Sequence, residues 1–472
     1  MSLEPIGLAV LLIGLLCLAK RREFAIHVLF PSTIFLAAAA VILTSIGSSS
    51  IPPAQVLLGF FILVVLRGRM TTSLVAAIAP FRPGFWLLLL VTYGVLSAAF
   101  LPRIFAGLSE VYAVARVENE VGVFLTPLRP VNGNITQPVY LIGDLLCFLA
   151  VWSLSARREF FRAVVHAAIL TSVLNVAFAG ADLLTYFTGT EYLLQFIRNA
   201  NYTMLSEAEV SGLKRIVGSY PEASSYASYA LGQFAFCIRL FMSGIYPKLT
   251  GSVAFLTFAS LVGSTSSTAY AGLGVTFAVI YGGALLQTSM RSSPRNTVLF
   301  VGFAPLALLL TCLALMLQDG AWAALIDMLD RSLFTKLETN SGIERAAWNT
   351  QALINFIDTF GLGAGVGSVR ASSFLAAVPA NVGILGTFFY LAFLWTVFFS
   401  SASTRDDTFV AGTQAAARMA CFALLVAGSI AASAIDLGLQ FFLFAALACA
   451  PVEPASACRQ ATPLNERPEA AG

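Results

Sequence analysis

Charged side chains are scarce in this chain of 472 residues: Asp, Glu, Lys and Arg make up 11% of it, and hydrophobic residues make up 58%. A soluble domain carries roughly 25% charged and about 45–50% apolar residues, so the composition excludes an ordinary soluble globular protein. The apolar residues form runs of about 17–25, the length of a membrane-spanning helix. The runs do not alternate with polar residues, which disfavours a transmembrane β-barrel. The sequence therefore predicts an all-α, polytopic membrane protein.

Histidine is scarce as well, and the sequence has no paired cysteines and no long basic run. The two histidines, His27 and His166, are expected near cytoplasmic helix ends, where neither can act as a base on the outer face. The seven cysteines include no CxxC pair, which predicts neither a disulfide framework nor a zinc site. The net charge of +3 without a long Lys/Arg run predicts no nucleic-acid partner. We expect no metal and no other cofactor.

The basic residues predict the topology, because Lys and Arg favour the cytoplasmic ends of membrane helices. Their alternation predicts about 12–13 transmembrane helices within residues 1–450, the second at Phe24–Ile46. The basic residues predicted on the cytoplasmic side include Lys20, Arg21, Arg22, Arg67, Arg157, Arg158, Arg162, Lys248 and Arg295. Long outer loops are expected at 102–137, 187–221 and 318–373. Residues 451–472 are polar and rich in Pro and Ala, and we expect a disordered cytoplasmic tail there.

The last outer loop contains an amphipathic pattern. Apolar residues recur at helical spacing before a natural helix stop at Gly361, at Ile343, Ala347, Ile354 and Ile357. This pattern predicts a helix that lies on the membrane or over a cavity.

Arg345 lies in the second turn of that helix, where the helix dipole disfavours a cation. A bound phosphate would explain it, because free N–H groups and a guanidinium together suit an anion. A surface pair with Glu344 or Glu338 is the alternative, and both interpretations stay open.

Glycines alternate directly after the helix, at Gly361, Gly363, Gly365 and Gly367, and Arg370 follows. Such a segment lets backbone N–H groups approach an anion. It also serves as a flexible connection beside a membrane, which is the more common role. It is not a Walker loop, because no Lys-Ser or Lys-Thr follows.

Charge also gathers where the second outer loop meets the next helix. Lys214 and Arg215 fall outside, against the positive-inside bias, and Glu222 lies at or just above membrane depth. An ionisable residue at that depth is a functional hypothesis by default. The alternative is that Glu222 pairs with Arg215 and closes the helix end.

Five further charges have structural interpretations. Asp144 and Asp182, in the outer halves of membrane helices, and Asp436, in an outer turn, are each predicted to pair with an arginine. Arg198 and Arg129 are predicted to be solvated loop charges.

Three stretches resemble the O-antigen ligase and O-antigen polymerase superfamily of bacterial membrane proteins. The first runs from Arg215 through Gly218 to Pro221-Glu222-Ala-Ser-Ser and is similar to the R-x-x-G-x-x-x-E-P-S motif of exopolysaccharide polymerases. The second runs from Arg345-Ala-Ala-Trp348 to the glycines and Ser368. The third, Asn381-Val-Gly383-Ile-Leu-Gly386, is similar to the family's N-x-G-x-x-G motif.

The resemblance implies a metal-independent glycosyltransferase that joins oligosaccharide repeat units carried on undecaprenyl pyrophosphate, at the periplasmic face of the bacterial inner membrane. Its partners would be that lipid-linked oligosaccharide, membrane lipids, and flippase and chain-length or export proteins. It implies two kinds of site residue: catalytic residues at Glu222, Arg215 and Arg345, and substrate-binding residues at Arg370, Lys214, Trp348, Gly365 and Ser368.

One departure favours a polymerase over a ligase. The ligases carry a histidine after the glycine-rich segment, and residues 370–378 contain none. Ligase-type transfer to a lipid or protein acceptor stays an alternative, as does a lipid-linked glycan flippase or transporter.

Overall fold

The computed structural model describes most of the chain, namely residues 2–43, 49–67, 71–117, 120–201, 204–205, 207, 209–210, 213–290, 293–316, 326–327, 330, 340–400 and 407–453. The predicted tail at 451–472 lies outside these residues apart from its first three. The predicted loop at 318–373 is described continuously only from residue 340.

Helices dominate the described residues, as the composition predicts. In chain order they are α1 Pro5–Ala19, α2 Arg22–Ser32, α3 Pro53–Leu66, α4 Thr71–Ala77, α5 Pro83–Ile104, α6 Gly133–Leu154, α7 Arg158–Thr188, α8 Ala223–Met242, α9 Pro247–Gly263, α10 Ser267–Met290, α11 Arg295–Met316, α12 Asn340–Asp358, α13 Phe374–Phe399, α14 Thr408–Ala431 and α15 Leu439–Ala448. A 3₁₀ helix covers Glu191–Ile197.

Within the described residues, six helices are long and apolar enough to cross a membrane: α5, α6, α7, α10, α13 and α14. They indicate a multi-pass membrane protein, which confirms the prediction in that coarse form. Helices α1, α3 and α15 are apolar but shorter. The count of about 12–13 spans stays a prediction.

The predicted second span at Phe24–Ile46 is wrong, because α2 ends at Ser32, directly after Pro31. A proline inside a helix removes a backbone donor and favours termination. The chain then continues to a short strand, and the buried backbone between them bonds to distant loops. Ala37 N donates to Ser219 O at 3.1 Å, and Ala200 N donates to Ala37 O at 3.1 Å.

Strands are few among the described residues; β1 precedes α1, and the others lie between helices. β1 Ser2–Leu3, β2 Val41–Leu43 and β3 Ser49–Ile51 form an antiparallel sheet. β4 Glu110–Val117 and β5 Glu120–Pro127 form a hairpin that pairs Glu110 with Pro127 and Val117 with Glu120. β6 Glu209–Val210 pairs with β7 Leu213–Lys214. The hairpin is the main departure from the predicted all-α fold.

Helices α8 and α15 lie in the core of the bundle. Helix α8 packs against α9, α10 and α14, and α13 packs against α5. All ten residues of α15 are buried, so this apolar helix is covered by protein.

Segments predicted to share a side of the membrane contact one another. At the predicted cytoplasmic end, Arg67 Nη1 donates to Leu18 O at 2.6 Å, and Glu453 N donates to Ala156 O at 3.0 Å. At the other end, the β4–β5 hairpin, α12 and the segment before α8 come together, as the next subsection describes. The contacts are consistent with the predicted sidedness, which itself stays a prediction.

Candidate functional site

The segment that carries Arg215 is held by the carboxylate of Asp182, near the end of α7. Oδ2 of Asp182 accepts hydrogen bonds from Val217 N at 2.8 Å and Gly218 N at 3.1 Å. Oδ1 lies 2.6 Å from Nη2 of Arg198, which also donates to Gly218 O at 2.6 Å. The predicted pairing of Asp182 with an arginine is confirmed. The same prediction is wrong for Asp144 and Asp436, which form no ion pair with any residue that the structure describes. The prediction that Arg198 is a solvated charge is wrong, because 8% of its side chain is exposed.

Lys214 faces the same carboxylate. Its Nζ lies 3.4 Å from Oδ1 of Asp182, and both side chains are 2% exposed. Burial lowers the pKa of the Lys214 ammonium, and Asp182 opposes that shift. Nζ also lies 5.5 Å from the ring centroid of Tyr186. The structure thus gives Lys214 contacts that fix the loop, and its predicted contact with substrate stays a prediction.

Glu222 is the N-cap residue of α8 and has extended backbone angles. The hydroxyl groups of Ser224 and Ser225 donate to its Oε1, at 2.5 and 3.4 Å. Glu222 forms no direct ion pair with any other residue that the structure describes. The predicted alternative, a direct pair with Arg215 that closes the helix end, is therefore absent from the described contacts.

Helix α12 turns its polar side toward the protein. Nδ2 of Asn355 donates to Ser109 Oγ at 2.8 Å and to Glu110 O at 2.5 Å, at the start of the hairpin. Oδ1 of Asn349 accepts a hydrogen bond from Ser372 N at 2.8 Å. The predicted apolar stripe points outward, with Ile357 70% exposed. These contacts place Arg345 and Trp348 on a helix whose inner side is anchored at its middle and near its C-terminal end.

The glycine-rich segment is held by the side chain of Asn381. Its Oδ1 accepts from Gly367 N at 3.2 Å and Val369 N at 3.3 Å, and its Nδ2 donates to Val369 O at 3.0 Å. Gly365 N donates to the backbone O of Asn381 at 3.0 Å, and Ser368 N donates to Gly365 O at 3.1 Å. These backbone N–H groups, which the sequence predicts to be able to approach an anion, therefore donate hydrogen bonds within the protein.

Gly365 and Ser368 sit at tight contacts with neighbouring helices. Gly365 has φ +93°, and a Cβ there would meet Ser97 O at 2.7 Å. Ser368 is buried, and its Oγ accepts a hydrogen bond from Nδ2 of Asn134 at 2.8 Å. The glycine is required by conformation and close packing, and substrate binding by either residue stays a prediction.

Arg370 emerges from this segment toward the hairpin and α12. Its backbone N donates to Tyr112 O at 3.0 Å. Its guanidinium carbon lies 5.3 Å from the ring centroid of Trp348, and that ring lies 6.3 Å from the ring of Tyr112. A guanidinium within about 6 Å of an indole face is attracted by the ring quadrupole. Trp348 therefore positions Arg370.

The structure brings Arg215, Arg345, Arg370 and Glu222 together from three separate segments, namely the segment before α8, helix α12 and the glycine-rich segment. Burial lowers the pKa of the Arg215 guanidinium, with Glu222 opposing the shift and Arg345 adding to it. Burial likewise lowers the pKa of the Arg370 guanidinium. Glu222 opposes this shift, and Arg345 adds to it. All four residues are half-buried. We call these four residues the arginine cluster.

The cluster holds three cations and one carboxylate, and it contains unpartnered donors. The Nε atoms of Arg215 and Arg370 are buried without a hydrogen-bond partner. Nε of Arg198 is unpartnered too, but its Nη2 is paired with Asp182. Half-buried cations that repel one another are stabilised by an anion beside them. The arrangement therefore suits a ligand with more than one negative charge.

A polar cavity of about 630 Å³ adjoins the cluster at Arg370. Its walls come from the hairpin, the start of α6, the glycine-rich segment and the turn after α14, and they include Tyr112, Arg129, Asn132, Gln137, Ser368 and Ser433. Arg129 is exposed, as predicted, but lines this cavity. Among the residues that the structure describes, no three His, Cys, Asp or Glu side chains are placed to hold a metal ion.

Sequence reasoning missed several residues that build the site. Asn134 was overlooked, although its Nδ2 donates to Val366 O and Ser368 Oγ, each at 2.8 Å. Tyr112 was overlooked because the hairpin was not predicted. No sequence signal points to Asn134. The hairpin that carries Tyr112 does have a signal, because alternating apolar residues at Val111, Ala113 and Ala115 are typical of a strand.

The comparisons with known proteins add no relative. No protein-family model matches the chain, and no curated protein matches it either. Membership of the O-antigen ligase and polymerase superfamily therefore stays a prediction from the three motifs.

Proposed function

We propose that the protein is a glycosyltransferase that polymerises oligosaccharide repeat units carried on undecaprenyl pyrophosphate. The observation that carries the proposal is the arginine cluster, in which Arg215 and Arg370 each interact electrostatically with Glu222 and Arg345, and each keeps a buried, unpartnered Nε. A pyrophosphate is a polyanion that guanidiniums bind through paired donors.

The chemistry requires charge stabilisation at the leaving group. A hydroxyl oxygen of the acceptor sugar forms a bond to the anomeric carbon of the donor, and the bond from that carbon to the pyrophosphate oxygen breaks. The electron pair leaves with the carrier lipid as undecaprenyl pyrophosphate. Arg215, Arg345 and Arg370 stabilise the charge that develops there, which is commonly the largest catalytic contribution.

Glu222 is the proposed general base. It accepts hydrogen bonds from Ser224 and Ser225, so its carboxylate is oriented, and the acceptor's hydroxyl proton would transfer to it. A general base must reach its proton within hydrogen-bond distance. Its electrostatic contact with Arg215 and Arg370 keeps it beside the leaving group.

The polar cavity is the proposed place for the sugar rings. Its volume of about 630 Å³ falls within the roughly 300–1,000 Å³ of small-ligand pockets. Hydroxyl, amide and aromatic side chains line it, and these suit the hydroxyl groups and apolar faces of sugars. Arg370 belongs to both the cavity and the cluster, so it would lie at the junction of sugar and pyrophosphate.

The number of membrane-spanning helices and the side on which the long loops lie are part of the same proposal. About 12–13 membrane-spanning helices would place the loops at 102–137, 187–221 and 318–373 on the periplasmic side of the bacterial inner membrane. The apolar stripe of α12 would lie in the membrane interface, and the carrier lipid would approach between lipid-facing helices.

Deletion of the gene, followed by sizing of lipid-linked and surface polysaccharide, tests the proposal. We expect single lipid-linked repeat units to accumulate, and the polymer to return with the wild-type gene. An Arg215→Ala gene should not restore it. Arg103→Ala is the matched control, because Arg103 is exposed on α5 and donates to Ala99 O.

Other outcomes of the same experiment identify the alternatives. Loss of only acceptor-attached polymer would indicate a ligase, and repeat units retained on the inner leaflet would indicate a flippase. Unchanged polysaccharide after deletion would overturn the proposal.

A further inference from the structure

A second cavity lies at the opposite end of the bundle from the arginine cluster and has a strongly basic wall. It encloses about 540 Å³ at the ends of α1 and α3 and at the α6–α7 turn. Five basic residues and one acidic residue line it, namely Lys20, Arg21, Arg22, Arg67, Arg157 and Glu23. The basic residues come from three separate parts of the chain, so the fold gathers them.

Part of this charge has an ordinary explanation. Basic residues favour cytoplasmic helix ends, and Arg67 Nη1 satisfies the carbonyl of Leu18 in the last turn of α1. A purely topological role, however, requires no concave site. Lys20, Arg67 and Arg157 are exposed to solvent, so their charges are accessible to a ligand in the cavity.

Apolar surface continues from this cavity along the helices. Leu18 and Val64 form part of its wall. One turn further into the bundle, Leu15 and Leu16 on α1 and Leu63 on α3 are more than half exposed, at 56%, 52% and 51%. In a membrane protein, such exposed apolar residues face acyl chains. The cavity is therefore bordered by cations at the helix ends and by lipid-facing side chains beneath them.

We infer that this cavity binds the headgroup of an anionic phospholipid of the cytoplasmic leaflet, with its acyl chains along α1 and α3. A soluble polyanion would use the same cations but not the adjoining apolar surface. Basic pockets between membrane helices on the cytoplasmic side bind multiply charged headgroups, so diphosphatidylglycerol should bind more tightly than phosphatidylglycerol. The inference does not depend on the glycosyltransferase proposal.

The test is native mass spectrometry and thermal unfolding of the purified full-length protein in detergent, with added diphosphatidylglycerol, phosphatidylglycerol or phosphatidylcholine. Only the two anionic lipids should be retained and raise the melting temperature. The combined variant Lys20→Gln, Arg67→Gln, Arg157→Gln should weaken diphosphatidylglycerol binding about a hundredfold, because each basic residue near a membrane contributes roughly a factor of five.

The matched control, Arg162→Gln, Lys248→Gln, Arg295→Gln, removes the same charge from other predicted cytoplasmic positions and should bind like the wild type. Equal weakening in both variants would overturn the site, because binding would then follow total charge. Stabilisation by inorganic pyrophosphate that equals that by the lipid, and that the combined variant Lys20→Gln, Arg67→Gln, Arg157→Gln also loses, would overturn the lipid assignment. Pyrophosphate bound at the arginine cluster would stabilise that variant and the wild type equally. If Arg67→Gln prevents folding, the double variant Lys20→Gln, Arg157→Gln makes the same comparison against Arg162→Gln, Lys248→Gln.

Discussion

The guanidinium carbon of Arg370 lies 5.3 Å from the ring centroid of Trp348. The two residues come from different elements, the glycine-rich segment and α12, so their contact joins both parts of the site. Tyr112 in the hairpin contacts both of them, through its backbone carbonyl and its ring. Trp348 thus links the conformation of the predicted outer loops to the position of a cation in the arginine cluster.

Trp348→Ala should lower glycan transfer roughly 2- to 30-fold, because a cation–π contact contributes roughly 0.5–2 kcal/mol. Trp348→Phe should retain most of the activity, since an aromatic face remains. Polymer formation by membranes of each variant measures this. Trp395→Ala is the control, because Trp395 is exposed on α13 and packs against Phe399. Equal activity in Trp348→Ala and the wild type would contradict the positioning role.

Asp182→Asn should destabilise the protein by roughly 3–5 kcal/mol, the cost of breaking a buried ion pair. Arg198 and Lys214 would lose their shared carboxylate. Asparagine would also replace one carboxylate oxygen with an N–H₂ group, which cannot accept the hydrogen bonds that Asp182 now accepts. Thermal unfolding of the purified protein in detergent measures the loss.

Asp407→Asn is the matched control for that substitution. Asp407 pairs with Arg158, but their side chains are 19% and 27% exposed, and more exposed pairs contribute about 0–1 kcal/mol. Asparagine also caps α14 as well as aspartate does. If the two substitutions lowered the melting temperature equally, burial would not be what makes Asp182 important.

Gly383→Ala should destabilise the protein by more than about 1 kcal/mol. Gly383 has φ +59°, and a Cβ there would lie 2.3 Å from Gly361 O in the glycine-rich segment. Gly282→Ala in α10, where a Cβ meets nothing within 4 Å, should be neutral or stabilising by up to about 1 kcal/mol. The folded yield and the melting temperature of the two variants are compared. Equal values would show that the glycine of the Asn381–Gly386 motif has no packing role.

The outward face of α12 should contact lipid. A fluorophore on Ile357→Cys should be quenched by brominated acyl chains in reconstituted vesicles, because Ile357 is 70% exposed on the apolar stripe. A fluorophore on Glu344→Cys, an exposed charged position near the start of the helix and off the apolar stripe, should be quenched far less. Similar quenching at the two positions would contradict an interfacial helix.

The sequence predicts the helical membrane class because burial in lipid leaves a composition signal that needs no tertiary information. It also predicts α12, since the spacing of Ile343, Ile354 and Ile357 is local. The direction of that stripe is not predictable, because an apolar face suits lipid and a protein core equally. Residues 318–325, 328–329 and 331–339 of the same predicted loop lie outside the described residues.

The candidate site is less accessible to sequence reasoning. Its arginines could be singled out because a cation at a helix start or on the outer side is unusual for its local context. Asn381 and Asp182 act through hydrogen bonds to distant backbone, such as those to Val369 and Val217. Periodicity carries no information about such contacts, and the role of Gly365 in packing likewise follows only from the neighbouring helix.

The arginine cluster is proposed to hold a pyrophosphate, and the affinity of the purified protein for undecaprenyl pyrophosphate measures whether it does. We expect Arg215→Ala and Arg345→Ala each to weaken binding roughly 10- to 150-fold, the loss of a charge-assisted hydrogen bond, and Arg103→Ala to bind like the wild type. Unchanged affinity in both cluster variants, with the proteins folded, would contradict the claim.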